Sequence, residues 1–378
     1  MRNDICIDQR EIYQPKKIEE LESIRGLAAL LIVFGHIPKW NPVCYIPVVD
    51  NGSLMVELFF VLSGFVLFNA YGDKIFSIKD LVRFQFLRFG RLYPVHLLFL
   101  IVFLFFEFAK YIFQVKYGII SPNSVPFERN NFTAFIQNIL LVQSVLPNSS
   151  QTFNYPSWSI SVEFYTYLIF GLGVLYFKRL KIHFFALFAI ISTVLLVSGF
   201  TLGFGPMFRC TAGFFIGCMT AQLIKNRKII SSGYKWLSIA MFFLIVVFLQ
   251  TRINYDTNSY MYFLGSALIS SLILVPDGWL NRVLKFRVFT WLGTISYSVY
   301  MSHPAIEWVA NQIVRVLLKR PEAIGINGYS TPQLSVTETF IAYAVILSVV
   351  LITSTLVYTY FEKPLRDKSR SLAYSKLN

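Results

Sequence analysis

The segment LESIRGLAALLIVFGH at residues 21–36 sets one arginine and one histidine within an apolar run. Arg25 and His36 are eleven residues apart. On an α-helix that spacing is three turns plus about 20°, and roughly 16 Å along the axis. The two side chains are therefore predicted to share one helix face at different depths. A helix-end arginine and a buried, hydrogen-bonded histidine would give the same pattern, so the spacing alone assigns no chemistry.

The same mixture of apolar runs and rare charges extends through all 378 residues. Hydrophobic residues make up 55% of the chain and charged residues 14%, against about 25% in soluble domains, and the mean hydropathy is +0.57. The net charge of +14 lies in short basic loops between apolar runs, as the positive-inside rule describes, and not in a nucleic-acid-binding patch. The lipid bilayer is the predicted partner, and nucleic acid is not.

The apolar runs predict the architecture, because a membrane-spanning helix needs about 20 predominantly apolar residues. We predict an all-α fold: a polytopic membrane helical bundle of about ten transmembrane helices. A shorter run at 133–146 either crosses or is re-entrant, and the second interpretation is preferred. The predicted spans are 23–38, 52–70, 92–115, 156–177, 182–204, 207–224, 236–250, 258–275, 289–313 and 335–361.

The basic loops predict the orientation. If 133–146 does not cross, the basic clusters near residues 74–91, 178–181, 225–235 and 282–287 all face the cytoplasm. The loop 314–334, with Arg315, Lys319 and Arg320, is an exception. We predict a cytoplasmic tail at 1–22, a membrane domain at 23–361 and a second cytoplasmic tail at 362–378. The four cysteines, of which Cys6 is the first, form no C-x-x-C pair, so no metal site is indicated.

Ionisable residues at membrane depth are costly, so they are functional candidates by default. In WSISVE at 158–163, Ser159 and Glu163 share a helix face at i and i+4. The predicted topology sets Glu163 in the outer half, at the depth of His36. We interpret His36 and Glu163 as an acid/base pair. The alternative is a structural ion pair between Glu163 and Arg209.

A polar stripe runs along the predicted helix at 289–313. Ser296, Tyr300, His303 and Glu307 follow at i, i+4, i+7 and i+11, which places them on one face. That face is predicted to meet protein or a cavity and not lipid. It contributes to a site or holds helices together. Glu57 is a further charge at membrane depth.

Arg83, Arg88 and Arg91 crowd a segment interpreted as a cytoplasmic loop that runs into a helix. They are either a positive-inside anchor or a binding site for an anionic cytosolic ligand such as a nucleotide phosphate, for which the arginine fork is well shaped.

Six blocks of the chain, in order and spacing, resemble the acyltransferase 3 family. The blocks are LESIRGLAALLIVFGH (21–36), ELFFVLSGF (57–65), RFGRLYP (88–94), SWSISVEFY (157–165), LGTISYSVYMSHP (292–304) and YFEKPLR (360–366). The basic block lacks the paired arginines that many members show at its start. The printed sequence also shows no segment like the extracytoplasmic esterase-like domain of larger members, which implies direct transfer to the acceptor.

The resemblance implies a membrane O-acyltransferase, usually an O-acetyltransferase, in the bacterial cytoplasmic membrane. It implies acyl-CoA (acetyl-CoA) as the donor substrate, no permanently bound cofactor, and an acceptor hydroxyl on a polysaccharide or lipid-linked carbohydrate. By the same resemblance His36 is the catalytic base and Glu163 its partner.

The resemblance also implies roles for the remaining candidate residues. The donor path would hold Arg25, Arg88, Arg91 and Ser63. The residues that support the site would be Trp158, Ser159, Arg209, Tyr300 and His303. The main alternative is a transporter or flippase of envelope glycan precursors, which predicts paired half-repeats and broken helices, and the sequence shows no such symmetry. A third interpretation, a membrane scaffold or sensor without chemistry, would leave the buried Arg25, His36 and Glu163 unexplained.

Overall fold

The computed structural model describes residues 18–119, 121–147, 151–225, 227, 234–252, 258–324 and 328–376. Cys6 and most of the predicted N-terminal tail lie outside these residues. Within them the first seven α-helices are α1 Glu19–His36, α2 Pro47–Asp50, α3 Met55–Tyr71, α4 Ile78–Tyr117, α5 Phe132–Ile139, α6 Trp158–Phe177 and α7 Lys181–Val197. The next seven are α8 Gly205–Ile224, α9 Leu237–Thr251, α10 Tyr260–Leu274, α11 Trp279–Leu284, α12 Arg287–Gln312, α13 Val336–Val357 and α14 Lys363–Lys376.

Short irregular elements complete the fold. Antiparallel strands β1 (Glu322–Ile324) and β2 (Ser330–Pro332) form a small hairpin. One-turn 3₁₀ segments lie at Pro42–Cys44, Asn51–Leu54, Tyr155–Ser157 and Lys178–Leu180, and π-helical turns at Ile313–Leu317 and Tyr358–Glu362.

Apolar helices confirm the all-α, multi-pass membrane class. Two shorter apolar helices are α9 and α10, and the count of about ten crossings stays a prediction. The helical segments that are long and apolar enough to cross a membrane, among the described residues, are Pro47–Tyr71, Ile78–Tyr117, Tyr155–Val197, Gly205–Ile224 and Val336–Ser375.

The segment with Arg83, Arg88 and Arg91 is helical, so its interpretation as a loop was wrong. Helix α4 contains 40 residues and is about 60 Å long, twice the roughly 30 Å of a bilayer core. Its start is a capping box: the Ser77 hydroxyl accepts from the Asp80 N–H, and the Asp80 carboxylate accepts from the Ser77 N–H. The sequence contains this S-x-x-D capping signal, but the arginines that follow it led to the interpretation as a loop.

Helix α5 occupies the region of the run 133–146. Its eight residues rise about 12 Å, which is too short to cross a bilayer. Asn131 caps it by accepting a hydrogen bond from the Ala134 N–H at 3.0 Å. The preferred non-crossing interpretation therefore agrees with the length of the helix.

Ion pairs tie several basic loops together at one end of the bundle. Asp73, which follows α3, contacts Lys181 at the start of α7 at 2.5 Å and Lys225 after α8 at 2.7 Å. Lys285, which precedes α12, contacts Glu20 on the first turn of α1 at 3.1 Å. These loops share one face of the bundle, which we name the basic face.

A second set of loops meets at the opposite end. The Trp40 indole donates to Asn311 at 3.0 Å, and Asn123 donates to the Ser330 carbonyl at 2.9 Å. Arg315 in the exceptional loop pairs with Glu322 at 2.8 Å, and Arg320 pairs with Glu338. Part of that loop's positive charge is therefore neutralised by its neighbours.

Two glycines let α3 and α8 approach at backbone contact. A Cβ on Gly64 would lie 1.8 Å from the Phe214 carbonyl oxygen, and one on Gly217 would lie 2.1 Å from that of Val61. Small residues at such crossings are typical of membrane helix pairs. The crossing fixes Ser63, next to Gly64, against the bundle interior.

The segment 362–378 contains α14, which packs on the first half of α4. A Cβ on Gly90 would meet the Ser369 side chain, and the Arg83 guanidinium lies 5.5 Å from the Tyr374 ring centroid. The residues predicted as a tail thus cover the arginine-bearing part of α4.

Candidate functional site

A crossing of α1 and α12 places two histidines side by side. A Cβ on Gly26 would lie 2.6 Å from the Gly293 nitrogen, so the two backbones touch there. His36 and His303 each follow their glycine by ten residues, about 15 Å along helices that start at the same face. Equal distances from the crossing bring His36 Nδ1 to 3.1 Å from His303 Nε2.

The hydrogen bonds around the pair assign its tautomers. His303 Nδ1 lies 3.2 Å from the Val299 carbonyl, which can only accept, so Nδ1 carries the proton. In the neutral ring, His303 Nε2 then accepts from His36 Nδ1–H. The Nε2 atom of neutral His36 is consequently unprotonated and available as a base.

Proline 304 supports this arrangement. Since Pro304 has no N–H, the carbonyl of Tyr300 one turn earlier loses its helical donor. The His303 ring interacts with the carbonyls of both Val299 and Tyr300 in that turn. The proline therefore leaves the Tyr300 carbonyl as an additional acceptor for the His303 ring.

His36 opens onto a large cavity, which we name the histidine cavity. It measures about 930 Å³, and its walls include Glu107, Arg129, Tyr155, Glu307 and Trp308. The edge of the Tyr155 ring packs on His36, with centroids 5.0 Å apart, and the Tyr155 hydroxyl interacts with the Glu307 carboxyl. It lies among the loops opposite the basic face.

A second, smaller cavity of about 80 Å³ lies deeper, and we name it the arginine cavity. It is lined by Arg25, Arg88, Arg91, Ser63 and Glu163 together with Ser159, Tyr167, Ser296 and Tyr300. Three guanidinium groups thus face one space inside the bundle. The arrangement is suited to phosphate or carboxylate groups, which arginine binds with paired hydrogen bonds.

Aromatic rings and acids hold the arginines. The Arg88 guanidinium lies 5.3 Å from the Tyr71 ring centroid, and Arg25 pairs with Glu22 at 2.9 Å. Glu163 is close enough to Arg88 and Arg91 to interact electrostatically with both. The carboxylate therefore balances charge in the arginine cavity.

Glu163 is fixed by a short hydroxyl chain. Tyr167 donates to Glu163 at 2.5 Å, and the Ser63 hydroxyl lies 2.9 Å from the Tyr167 hydroxyl. Because the Tyr167 proton is used on Glu163, Ser63 is the donor in the second contact. Ser63 thus supports Glu163 through Tyr167.

The predicted direct pair of His36 with Glu163 is wrong. His36 bonds to His303 in the histidine cavity, while Glu163 bonds to Tyr167 in the arginine cavity. The Tyr155 ring packs on His36, and Glu163 follows Tyr155 eight residues later, about 12 Å deeper. The start of the span was predicted correctly, but the depth of Glu163 along it was not.

The alternative pairing of Glu163 with Arg209 is also wrong, since Glu57 takes Arg209. Their contact is 2.7 Å, and the Glu57 side chain is completely buried. The Arg209 guanidinium also lies 4.5 Å from the Trp158 ring centroid. Glu57 and Arg209 hold Trp158, and with it the start of α6.

A thin polar partition separates the two cavities. The hydroxyls of Ser159 and Tyr300 lie 2.9 Å apart, and Tyr300 donates to the Pro156 carbonyl at 2.8 Å. Tyr300 faces the arginine cavity, while its neighbour Tyr155 belongs to the histidine cavity. The polar stripe of α12 is buried along its length, so its predicted inward orientation is confirmed.

Several site residues were not selected from the sequence. Tyr155 and Tyr167 lacked a charge to draw attention, and Glu107 lies toward the end of the predicted span 92–115. Glu107 accepts from the Phe127 N–H at 2.9 Å and from Asn130 at 2.7 Å, so it fixes the loop that walls the histidine cavity. The sequence signal that could have identified Tyr155 is the Tyr-Pro pair that it forms with Pro156, just before the Trp-Ser motif.

These motifs and their clustering match a known family. A sequence model of an acyltransferase domain matches residues 18–359, which is most of the chain. The chain belongs to the acyltransferase 3 family. No solved structure is significantly similar to it.

Curated relatives agree at low identity. The O-acetyltransferase OatA of Staphylococcus aureus is 23% identical over 339 residues, covering 81% of this chain and 53% of the relative. The acyltransferase MdmB of Streptomyces mycarofaciens is 33% identical over 171 residues, covering 42% of this chain and 40% of the relative. The chain spans about half the length, or less, of the relatives that it matches.

Proposed function

We propose that this protein is a membrane O-acyltransferase that moves an acyl group, usually acetyl, from acyl-CoA to a carbohydrate hydroxyl. One observation carries the proposal: an arginine-lined cavity and a histidine-lined cavity lie back to back across a thin partition. The first suits an anionic donor, and the second offers a base to an acceptor. Family membership and the names of the relatives support the same reaction.

The donor would enter from the basic face. Arg88 and Arg91 would bind the phosphates of acyl-CoA, while Arg25 would flank the pantetheine arm on its way into the bundle. Arg25 and His36 are separated by about 16 Å along α1, a distance that an extended pantetheine arm can span. The thioester would then lie at the partition, close to Ser159 and Tyr300.

His36 Nε2 would accept the proton of the acceptor hydroxyl. The acceptor oxygen forms a bond to the thioester carbonyl carbon, and the carbon–sulfur bond then breaks. The CoA thiolate leaves and takes up the proton from His36, so the base is regenerated. His303 would act as a positioning residue, because its Nε2 holds the proton of His36 on Nδ1.

The acceptor would be an extracytoplasmic or lipid-linked carbohydrate. The histidine cavity is the larger space and combines carboxylates, amides and Trp308, as sugar-binding sites do. In this proposal about ten helices cross the bacterial cytoplasmic membrane. The basic face would be cytoplasmic, both chain termini would lie there, and the histidine cavity would open outside.

The test uses membrane vesicles that contain the protein, acetyl-CoA with a labelled acetyl group, and extracted glycan as the readout. We expect His36→Gln to reduce transfer at least about 100-fold, because a positioned general base contributes that much or more. The control is His183→Gln, an exposed histidine outside both cavities. Near wild-type transfer by His36→Gln would refute the assigned role.

Donor binding is tested separately. We expect the double variant Arg88→Gln with Arg91→Gln to raise the KM for acetyl-CoA, and Arg179→Gln, an exposed arginine near the basic face, to leave it unchanged. Glycan movement across the membrane without thioester consumption would support the transporter alternative instead.

A further inference from the structure

Two glutamates line the histidine cavity, Glu107 on α4 and Glu307 on α12. Both oxygens of Glu107 are engaged by the protein. One contacts Lys110 at 2.5 Å and Asn130 at 2.7 Å. The other accepts from the Phe127 N–H at 2.9 Å. Glu107 therefore fastens the wall of the cavity, and Lys110 balances its charge.

Glu307 is held differently. The residue is 4% exposed, and its Oε1 atom has no hydrogen-bond partner among the described residues. The Tyr155 hydroxyl interacts with the same carboxyl group, and a phenol beside a carboxylate is the donor. Tyr155 can satisfy one oxygen, so the carboxyl group keeps a second oxygen for another donor. Leaving a buried oxygen unpaired is costly, which indicates that this oxygen has a use.

The charged groups nearby do not supply that donor. Lys39 interacts electrostatically with Glu307, but its Nζ lies 2.9 Å from the Asp50 carboxylate. His303, four residues before Glu307 on α12, uses its ring nitrogens on His36 and on a backbone carbonyl of its own helix. Glu307 is therefore not the group that orients the two histidines.

Glu307 lies beyond the histidines on the side away from the basic face. It follows His303 by one helical turn, about 6 Å along α12, and α12 begins at the basic face. The Tyr155 ring bridges the two positions, since its edge packs on His36 and its hydroxyl meets Glu307. The carboxyl group and the base are thus close enough for one sugar ring to contact both.

We propose that Glu307 is a specificity-determining residue, whose free oxygen accepts a hydrogen bond from the acceptor hydroxyl next to the one that is acylated. The inference rests on the proposed function and deepens it, because it names the residue that selects the reacting hydroxyl. The acceptor must then carry two adjacent hydroxyls. A lone alcohol would leave the Glu307 oxygen unpaired, and sites of this kind reject an analogue that lacks the hydroxyl.

The first experiment measures transfer from acetyl-CoA to extracted glycan by the full chain in nanodiscs. Glu307→Gln removes the charge at nearly constant volume, and Glu307→Leu removes both acceptor atoms. We expect kcat/KM for the glycan to fall at least about tenfold in Glu307→Gln and further in Glu307→Leu, because hydrogen bonds to charged groups are the stronger class. The KM for acetyl-CoA should stay unchanged.

The matched control is Glu128→Gln, which removes a carboxylate of the same size from an exposed position outside the cavity lining. We expect wild-type kinetics from this control. A raised KM for acetyl-CoA in the Glu307 variants, with unchanged kcat/KM for the glycan, would contradict the role at the acceptor.

The second experiment measures binding without turnover. Saturation-transfer NMR gives the Kd of trans-1,2-cyclohexanediol and of cyclohexanol, with empty nanodiscs as the blank. We expect wild type to bind the diol at least about tenfold more tightly, whereas apolar burial alone would favour cyclohexanol. The preference should shrink in Glu307→Gln and disappear in Glu307→Leu. A purely structural role of Glu307 would not change the ratio of the two Kd values.

The two experiments separate the inference from the proposed function. Equal binding of the two probes by wild type, or a preference of unchanged size in both Glu307 variants, would overturn the role of Glu307. Acetylation of the glycan in those samples would leave the proposed function intact. A diol preference that depends on Glu307, without any consumption of acetyl-CoA, would support the hydroxyl site and contradict the acyltransferase.

Discussion

The arginine cavity and the histidine cavity share a wall but differ in size, charge and surroundings. The first is small, deep and lined by three guanidinium groups, while the second is more than ten times larger and lined by imidazole, carboxyl and amide groups. The difference supports the proposed division of labour, in which one side would bind an anion and the other would perform proton transfer. Substitutions that affect one side only are the way to test that division.

The largest expected effect is on the histidine side. His303→Gln removes the ring that holds the proton of His36 on Nδ1, so we expect kcat to fall about 10³-fold. The KM for acetyl-CoA should stay near its wild-type value, because the arginine cavity is untouched. Steady-state kinetics with both substrates would check this. A rise in the KM for acetyl-CoA with an unchanged kcat would contradict the proposed division between the two cavities.

The next effect is structural. Glu57→Gln leaves the Arg209 guanidinium without its buried carboxylate, and breaking such a pair costs about 3 kcal/mol. We expect heat inactivation at a clearly lower temperature, with the KM of the surviving enzyme unchanged. The double variant Glu57→Gln with Arg209→Met should recover part of the loss. If the double variant were inactivated at the same temperature as Glu57→Gln alone, the unpaired Arg209 charge would not be the cause of the lost stability.

A smaller effect is expected on the arginine side. Arg88→Lys keeps the charge but loses the planar fork that lies beside Tyr71 and Phe84. We expect the KM for acetyl-CoA to rise about tenfold, or about 1.4 kcal/mol, with little change in kcat. Arg179→Lys serves as the control. An equal fall in kcat would show that Arg88 acts on the chemical step.

The smallest effect lies outside both cavities. Hydrogen bonds from Lys181 and then Lys225 lower the pKa of Asp73 from 3.8 to about 2. Because the folded-state pKa is the lower one, the stabilisation is present above pH 4 and disappears as the pH falls toward 2. Asp73→Asn should therefore lower thermal stability at pH 7, by less than about 1 kcal/mol since Asp73 is exposed.

Melting curves of wild type and Asp73→Asn between pH 7 and pH 3 would check the sign. The gap between the two proteins should narrow as the pH falls. A gap that widened toward low pH would contradict the assignment.

The sequence by itself determined the class of fold and several residues of the site. Hydropathy identified the apolar helices, and the cost of charge in lipid singled out Arg25, His36, Glu163 and His303. Helical spacing predicted that the stripe of α12 faces inward. These properties depend on residue type and on a fixed helical repeat, which are local.

Only the tertiary structure decided which of these residues meet. His36 pairs with His303 because α1 and α12 touch at Gly26 and Gly293, ten residues before each histidine. Glu163 joins the arginines because Tyr155, three residues before α6, lies at the level of His36, and Glu163 follows it about 12 Å deeper. The spacing of residues along one helix follows from its own sequence, whereas the crossing point of two helices depends on how both surfaces pack.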